Sequence, residues 1–254
     1  MGKQASRRAR NTSPRDERRS KKNGNPDNVY QFPLPEGAMP VANALVPKNE
    51  EQKRYINIIK NHTVTVCTGK PGTGKTFIPA VLGAQEMCTP GSKIKKFILV
   101  RPNEPLGKSL GMLPGDLNEK MAPWLEPIAD GIRYAVGDQT YKGFVQREVI
   151  QPLAIEHARG RTFNNAYVVI DEAQNISKEA MICLLTRVGM DCKLIICGDI
   201  AQKDIKGDSG LGMLMELYNK YEYTPFQHIE LETNVRSRES AAFYDMFKAE
   251  GLID

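Results

Sequence analysis

The stretch Thr63-Val64-Thr65-Val66-Cys67-Thr68-Gly69-Lys70-Pro71-Gly72-Thr73-Gly74-Lys75-Thr76 decides how the rest of the chain reads. Its first six residues are β-branched or apolar and predict a strand. The next eight satisfy G-x-x-x-x-G-K-[ST], and a helix is predicted from Lys75 to Met87. Strand, Gly-rich loop and helix in that order are the context in which this motif cradles phosphates. Glycines at 69, 72 and 74 let the backbone curl until its N–H groups converge on phosphate oxygens. The positive end of the helix points at the same anion. Lys75 sets a point charge on the β- and γ-phosphates, and the Thr76 hydroxyl reaches Mg²⁺. The expected cofactors are ATP and Mg²⁺, with Gly69, Lys70, Pro71, Gly72, Thr73, Gly74, Lys75, Thr76 and Phe77 around the nucleotide. Gln52, ahead of the loop, is either an amide that reads adenine or an ordinary residue of a surface helix.

Outward from the loop, helix and strand alternate. A helix is predicted over Gln52–Lys60. A strand over Lys96–Arg101 enters a long Gly- and Pro-rich loop, and Leu117–Val136 is mainly helical. Ala166–Asp171 and Lys193–Cys197 are strands of consecutive apolar residues, as expected where both faces are covered. Ser177 caps a helix carrying Ala180, Met181, Leu184, Leu185 and Val188 on one face. A helix over Gly210–Asn219, a strand over Gln227–Glu232 and a helix over Arg238–Lys248 follow. Such alternation calls for a mostly parallel sheet between two helical layers, a three-layer α/β fold.

A second cluster of chemistry ends the strand Tyr167-Val168-Val169-Ile170-Asp171-Glu172. Buried apolar residues deliver two carboxylates at the C-terminal edge of the sheet, where open α/β sheets bind ligands. Asp171 is expected to hold Mg²⁺ through water, and Glu172 to take a proton from the attacking water. Cys197-Gly198-Asp199-Ile200-Ala201-Gln202 ends the next strand. Gln202 and Gln174 are both candidates for a group that reports whether the γ-phosphate is still attached. Asp199 is either a polar residue beside the γ-phosphate or a turn former.

These motifs resemble those of known ATPases. Asp171-Glu172-Ala173-Gln174 with Gly198-Asp199-x-x-Gln202 is similar to motifs II and III of superfamily 1 helicases. Leu231-Glu232-Thr233-Asn234-Val235-Arg236-Ser237 is similar to their motif IV, whose arginine reaches the γ-phosphate. More specifically, Leu110–Lys120, Arg159-Gly160-Arg161-Thr162-Phe163, Asp171–Asn175 and Leu185-Thr186-Arg187-Val188-Gly189 resemble the PhoH family over residues 49–240. The loop departs from the family's usual GPAGTGKT yet keeps every phosphate-binding position. The surroundings of Arg236 depart further.

The resemblance implies a RecA-like domain with Lys75, Glu172, Gln202 and Arg236 as catalytic residues and Thr76 and Asp171 as metal ligands. It also implies a helicase-like motor on RNA or single-stranded DNA. Arg101, Arg159 and Arg161 would either lie near the nucleic-acid backbone, with Phe163 stacking on a base, or be ordinary surface charge and core packing. An ATP-gated binding module that never translocates is the alternative, and a small-molecule kinase fits less well. No PIN nuclease segment is expected. The stretch after Arg236 is too short for the second domain of roughly 100 residues that superfamily 1 enzymes use. A homo-oligomer, a hexameric ring by resemblance, is therefore expected to complete the site, with Arg236 or Arg187 reaching a neighbour.

Composition sets outer bounds. The chain has 254 residues, 41% hydrophobic and 26% charged, with net charge +5. Nine Lys/Arg against Asp16 and Glu17 crowd residues 1–22, so the remainder is slightly acidic. Residues 1–36 hold almost nothing apolar and are expected to be a disordered basic tail, with one folded domain over 37–254. The tail either contacts a polyanion such as nucleic acid or keeps the chain soluble. Five cysteines without a C-x-x-C pair read as reduced thiols in a cytoplasmic protein. Three scattered histidines offer no zinc spacing, and neither a membrane span nor a secretory signal is expected.

Overall fold

The computed structural model describes residues 41–102 and 117–251. The basic segment 1–36 and the Leu110–Asp116 part of the family motif lie outside the described residues. Within them the elements run α1 (Glu50–Asn61), β1 (Val64–Gly69), α2 (Phe77–Cys88), β2 (Lys96–Val100), α3 (Leu117–Val136), α4 (Asp138–Gln146) and β3 (Ile150–Leu153). Then come β4 (Ala166–Ile170), α5 (Lys178–Leu185), β5 (Lys193–Gly198), α6 (Gly210–Lys220), β6 (Gln227–Leu231) and α7 (Arg238–Ala249). Local chemistry starts these helices where a donor needs a partner. Asn49 accepts from the Gln52 N–H, Ser177 from Ala180, Ser209 from Leu211 and Ser237 from Ser240.

The six strands form one sheet in the order β3-β2-β4-β5-β1-β6, and every pairing is parallel. Alternation along the strands divides the core between two faces. Ile98, Val100, Val168, Ile170, Leu194 and Ile196 join Met181 and Leu184 of α5 and Leu211 and Leu214 of α6. Phe97, Tyr167 and Cys197 point the other way, under α1 and α2. Close approach on that face depends on Gly83, where a Cβ would lie 2.6 Å from the rings of both Phe97 and Tyr167. The three-layer α/β architecture expected from the sequence is the one found.

The departures have local causes. α4 and β3 were not anticipated, and β3 is a four-residue edge strand containing Pro152, tolerated there because no neighbour needs its N–H. α5 ends at Leu185, so Val188 leaves the helix and bridges to Phe163 instead. All five cysteines are unpaired and four are buried. Burial pushes the Cys67 thiol up to about 12, which keeps it protonated and inert. No helix among the described residues is long and apolar enough to cross a membrane.

Tyr167 is 2% exposed, and its hydroxyl has no hydrogen-bond partner among the described residues. A buried unpaired hydroxyl costs about 1–3 kcal/mol. Tyr167→Phe keeps the ring against Phe97 (centroids 5.4 Å apart) and removes that penalty. Calorimetry should find the variant about 2–4 °C more stable, the shift that about 1 kcal/mol gives a chain of this size. A lower melting temperature would mean that a bound water satisfies the hydroxyl.

Candidate active site

The loop between β1 and α2 is held from beneath and from both sides. Gly69, at φ 136°, lies so close to β6 that a Cβ there would sit 2.0 Å from the Leu231 carbonyl oxygen. The Lys70 N–H donates to that same oxygen at 3.2 Å. Inside the loop, Thr73 Oγ1 donates to the Lys70 carbonyl at 2.9 Å. Lys75 Nζ folds back onto the carbonyls of Gly69 and Lys70, the latter at 2.7 Å. Helix α1 adds two struts one turn apart. Gln52 Nε2 donates to the Thr73 carbonyl at 2.9 Å, and the Tyr55 hydroxyl to the Lys75 carbonyl at 3.0 Å. Among the described residues nothing accepts from the N–H groups of Gly72, Gly74 or Lys75, which leaves donors in the loop for an anion.

The Gln52 amide is thus committed on both sides, since its Oε1 accepts from the Lys48 N–H at 2.9 Å. Phe77 begins α2, but its ring packs on Tyr134 (centroids 5.7 Å), so its backbone is the part that faces the loop. Tyr55 was missed in the sequence. Its signal is the i, i+3 spacing from Gln52 on a capped helix.

The strand tips supply the acids. Thr76 Oγ1 donates to Asp171 Oδ1 at 2.7 Å, which joins the end of the loop to the end of β4. Asp171 is 5% exposed. Burial holds its carboxyl above the usual range, the Thr76 hydroxyl pulls it down, and the neighbouring Glu172 pushes it up again. A hydroxyl and a carboxylate side by side beneath a phosphate cradle form an oxygen set that fits Mg²⁺. Glu172 adopts φ 51°, ψ 43°, a left-handed conformation that costs a non-glycine residue about 1–3 kcal/mol. Its carboxylate is fixed by Gln174 Nε2 at 2.7 Å and faces Arg101 at 3.7 Å.

Gln174 ties the two strand ends together. It is 1% exposed, and its Oε1 accepts from the Asp199 N–H at 3.0 Å while its Nε2 also donates to the Gln202 carbonyl at 3.3 Å. Gln202 is partly exposed, and its amide donates to Asp199 Oδ2 at 3.0 Å. Of the two glutamines, Gln174 is a buried strut and Gln202 stands at the surface. Asp199 also caps a short turn by accepting from the Ala201 N–H, so its turn-forming reading holds.

The segment after β6 wraps the loop. Asn234 Nδ2 donates to the Pro71 carbonyl at 3.1 Å and the Val235 N–H to the Gly72 carbonyl at 2.9 Å. Glu51 accepts from the Glu232 N–H, the Thr233 N–H and Thr233 Oγ1, and Lys48 donates to the Val235 carbonyl. Arg236 therefore stands beside its own loop: a Cβ on Gly72 would lie 3.1 Å from the Arg236 Cβ. The backbone of Arg236 is thus tied to the loop of its own chain.

The other arginines separate. Arg101 faces Glu172, and Arg159 and Arg161 are exposed on the passage from β3 to β4. Phe163 is not available to a base. It is 1% exposed in the core, and its backbone exchanges bonds with Arg187 and Gly189 at the N-terminal end of β4. Arg187 thus lies at the edge of the sheet opposite the acids.

The family model described as PhoH-like protein matches residues 44–248. A PhoH-like protein of Bacillus subtilis is 38% identical over 172 residues, covering 67% of this chain and 53% of that protein. One of Synechocystis is 36% identical over 191 residues, covering 74% of this chain and 58% of that protein. The chain thus spans a little over half the length of these relatives. Among solved structures, the Pif1 helicase of Candida albicans aligns with TM-score 0.42 at 15% identity, over 80% of this chain and 44% of that one.

Because burial raises the folded pKa of Asp171, the fold favours its protonated form. That contribution is full below the unfolded carboxyl value of about 3.9 and is lost as pH rises through the folded value. Asp171→Asn, which cannot ionise, should therefore melt at a higher temperature than the parent at pH 7. The gap should close as pH falls toward about 4. A gap that does not change with pH would remove burial of the charge as its cause.

Proposed function

This chain belongs to the PhoH-like protein family, and from that premise we propose that it hydrolyses ATP in a reaction driven by nucleic acid, RNA or single-stranded DNA. The observation that carries the reading is the 2.7 Å bond from Thr76 to Asp171 at the mouth of the phosphate loop. Thr76 and Asp171 would hold Mg²⁺, which when bound supplies positive charge against the phosphate oxygens. Loop N–H groups and Lys75, swung out from the Gly69 and Lys70 carbonyls, bind the triphosphate. Glu172, aimed by Gln174 and Arg101, orients the attacking water and takes its proton. Gln202 lies where a polar group senses the γ-phosphate, and Arg236 serves the phosphates of its own chain. Gln52 holds the loop in shape, with adenine contact as its further role. The protein works in the cytoplasm as a homo-oligomer, a hexameric ring, and Arg187 is the arginine left for a contact between subunits.

Phosphate release measured with Mg²⁺, with and without single-stranded RNA or DNA, tests this reading. Turnover should rise with nucleic acid and fall about 10²-fold or more in Lys75→Ala. Glu172→Gln should retain ATP binding and lose about 10²–10⁴-fold in turnover. Near-parental hydrolysis by folded Lys75→Ala would end the ATPase reading. Stimulation without strand separation would favour the binding module. Mixing Arg236→Ala with Lys75→Ala chains should restore no activity, since both residues serve the same site. Recovery would return Arg236 to a neighbour.

A further inference from the structure

The phosphate loop holds two lysines, and Lys75 is the one that folds back into it. Lys70 turns instead to helix α7. Its Nζ stands 3.9 Å from the Asp245 carboxylate and 5.4 Å from the centre of the Tyr244 ring. The two lysines still share one region of the loop, since Lys75 Nζ rests on the Lys70 carbonyl at 2.7 Å. A flexible four-carbon stem lets the Lys70 ammonium sample either side of that region.

Helix α7 is loosely held, and none of its residues is buried. Its other tie to the loop runs through Asn234, whose Nδ2 donates to the Pro71 carbonyl at 3.1 Å and to Ser240 Oγ at 3.3 Å. One helical turn separates Ser240 from Tyr244, so a single face of α7 lies along the loop. That face also bears on the end of β5. Burial raises the Tyr244 hydroxyl, and the carboxylates of Asp199 and Asp245 raise it further. Burial likewise raises the Asp199 carboxyl, while Lys75 of the loop and Lys248 of α7 draw it down. Helix α7 therefore overhangs the part of the site where Lys75 and Asp199 meet.

We propose that Lys70 is a second phosphate-binding lysine, directed to the γ-phosphate of ATP, and that Asp245 and Tyr244 hold it on α7 until a triphosphate takes it. The inference rests on the ATP-binding reading above and adds a switch to that site. The side chains of Lys70 and Asp245 are 41% and 71% exposed, and an ion pair in such a setting contributes little. Its 3.9 Å separation is also too long for a charge-assisted hydrogen bond. A triphosphate offers several charges where Asp245 offers one, so the ammonium transfers to it. Helix α7 then loses its one ion pair to the loop among the described residues, and the cation leaves the Tyr244 ring. The Asn234–Ser240 bond stays behind as a hinge at the first turn. ADP has no γ-phosphate and leaves Lys70 on the helix, so the position of α7 distinguishes the two nucleotides.

Titration calorimetry of the full chain with Mg²⁺, using ADP and a non-hydrolysable ATP analogue, tests this, with circular dichroism to check folding. Lys70→Met should weaken the analogue about tenfold or more and leave ADP within about twofold. Asp245→Asn releases Lys70 and should tighten the analogue about two- to fivefold, an effect absent in a Lys70→Met background. Hydrogen exchange reads the helix directly. Protection of α7 should fall with the analogue, hold with ADP, and not respond to the analogue in Lys70→Met. Equal effects of Lys70→Met on both nucleotides, or weaker analogue binding by Asp245→Asn, would overturn the inference and leave ATP binding standing. So would an α7 that gains protection with the analogue. A parental chain that binds no analogue would overturn both.

Discussion

A carboxylate almost wholly removed from water sits at the tip of β4, and it stays there because one hydroxyl faces it. Burying the Asp171 charge opposes folding, and the 2.7 Å bond from Thr76 only partly offsets that opposition. What the fold gains is position. The bond joins the end of the phosphate loop to the end of β4, across the intervening β5, and sets the two side-chain oxygens side by side. β4 is buried along its whole length and paired on both sides, which leaves Asp171 little freedom to turn toward solvent. A polar group kept out of water in this way is a local defect in stability that the surrounding sheet tolerates.

The neighbouring groups extend the same arrangement. Glu172 is strained in its backbone and is held by Gln174, which in turn holds the turn carrying Asp199 and Gln202. A single buried amide thus bonds both the Glu172 carboxylate and the end of β5. The arm after β6 does for the loop what Gln174 does for the acids. Three backbone or amide bonds between residues 231–235 and the loop fix where the Arg236 backbone stands, and Glu51 of α1 and Lys48 just before it anchor that arm.

The two edges of the sheet differ in character. At the C-terminal edge the strands release their backbone groups into loops crowded with polar side chains. At the N-terminal edge α5, α6 and β6 leave an apolar hollow that no described element fills. An asymmetry of this kind, with α7 presenting phenyl rings beside the polar edge, distinguishes the two ends as surfaces for other molecules.

The sequence by itself determined five of the six strands, the loop and the place of the two acids at a strand end. Those features are local: short runs of β-branched and apolar residues bounded by turn signals read as strands buried on both faces, and Gly-x-x-x-x-Gly-Lys-Thr between a strand and a helix reads as a phosphate loop. It determined the architecture for the same reason, since alternating helices and strands leave a parallel sheet with two helical layers as the packing that buries them. It did not determine β3, because four residues with Pro152 among them carry no period, nor the fate of Phe163, whose aromatic ring reads alike in a core and on a surface. Tertiary structure alone decided that the Gln52 amide braces the loop, that Gln174 rather than Gln202 is the strut, and that the backbone of Arg236 lies beside the loop. Those outcomes depend on which strands become neighbours: β6 lies beside β1, so a segment more than 150 residues away in sequence closes over the phosphate loop. Pairing across such distances is set by the burial of the whole sheet, and no window of sequence contains it.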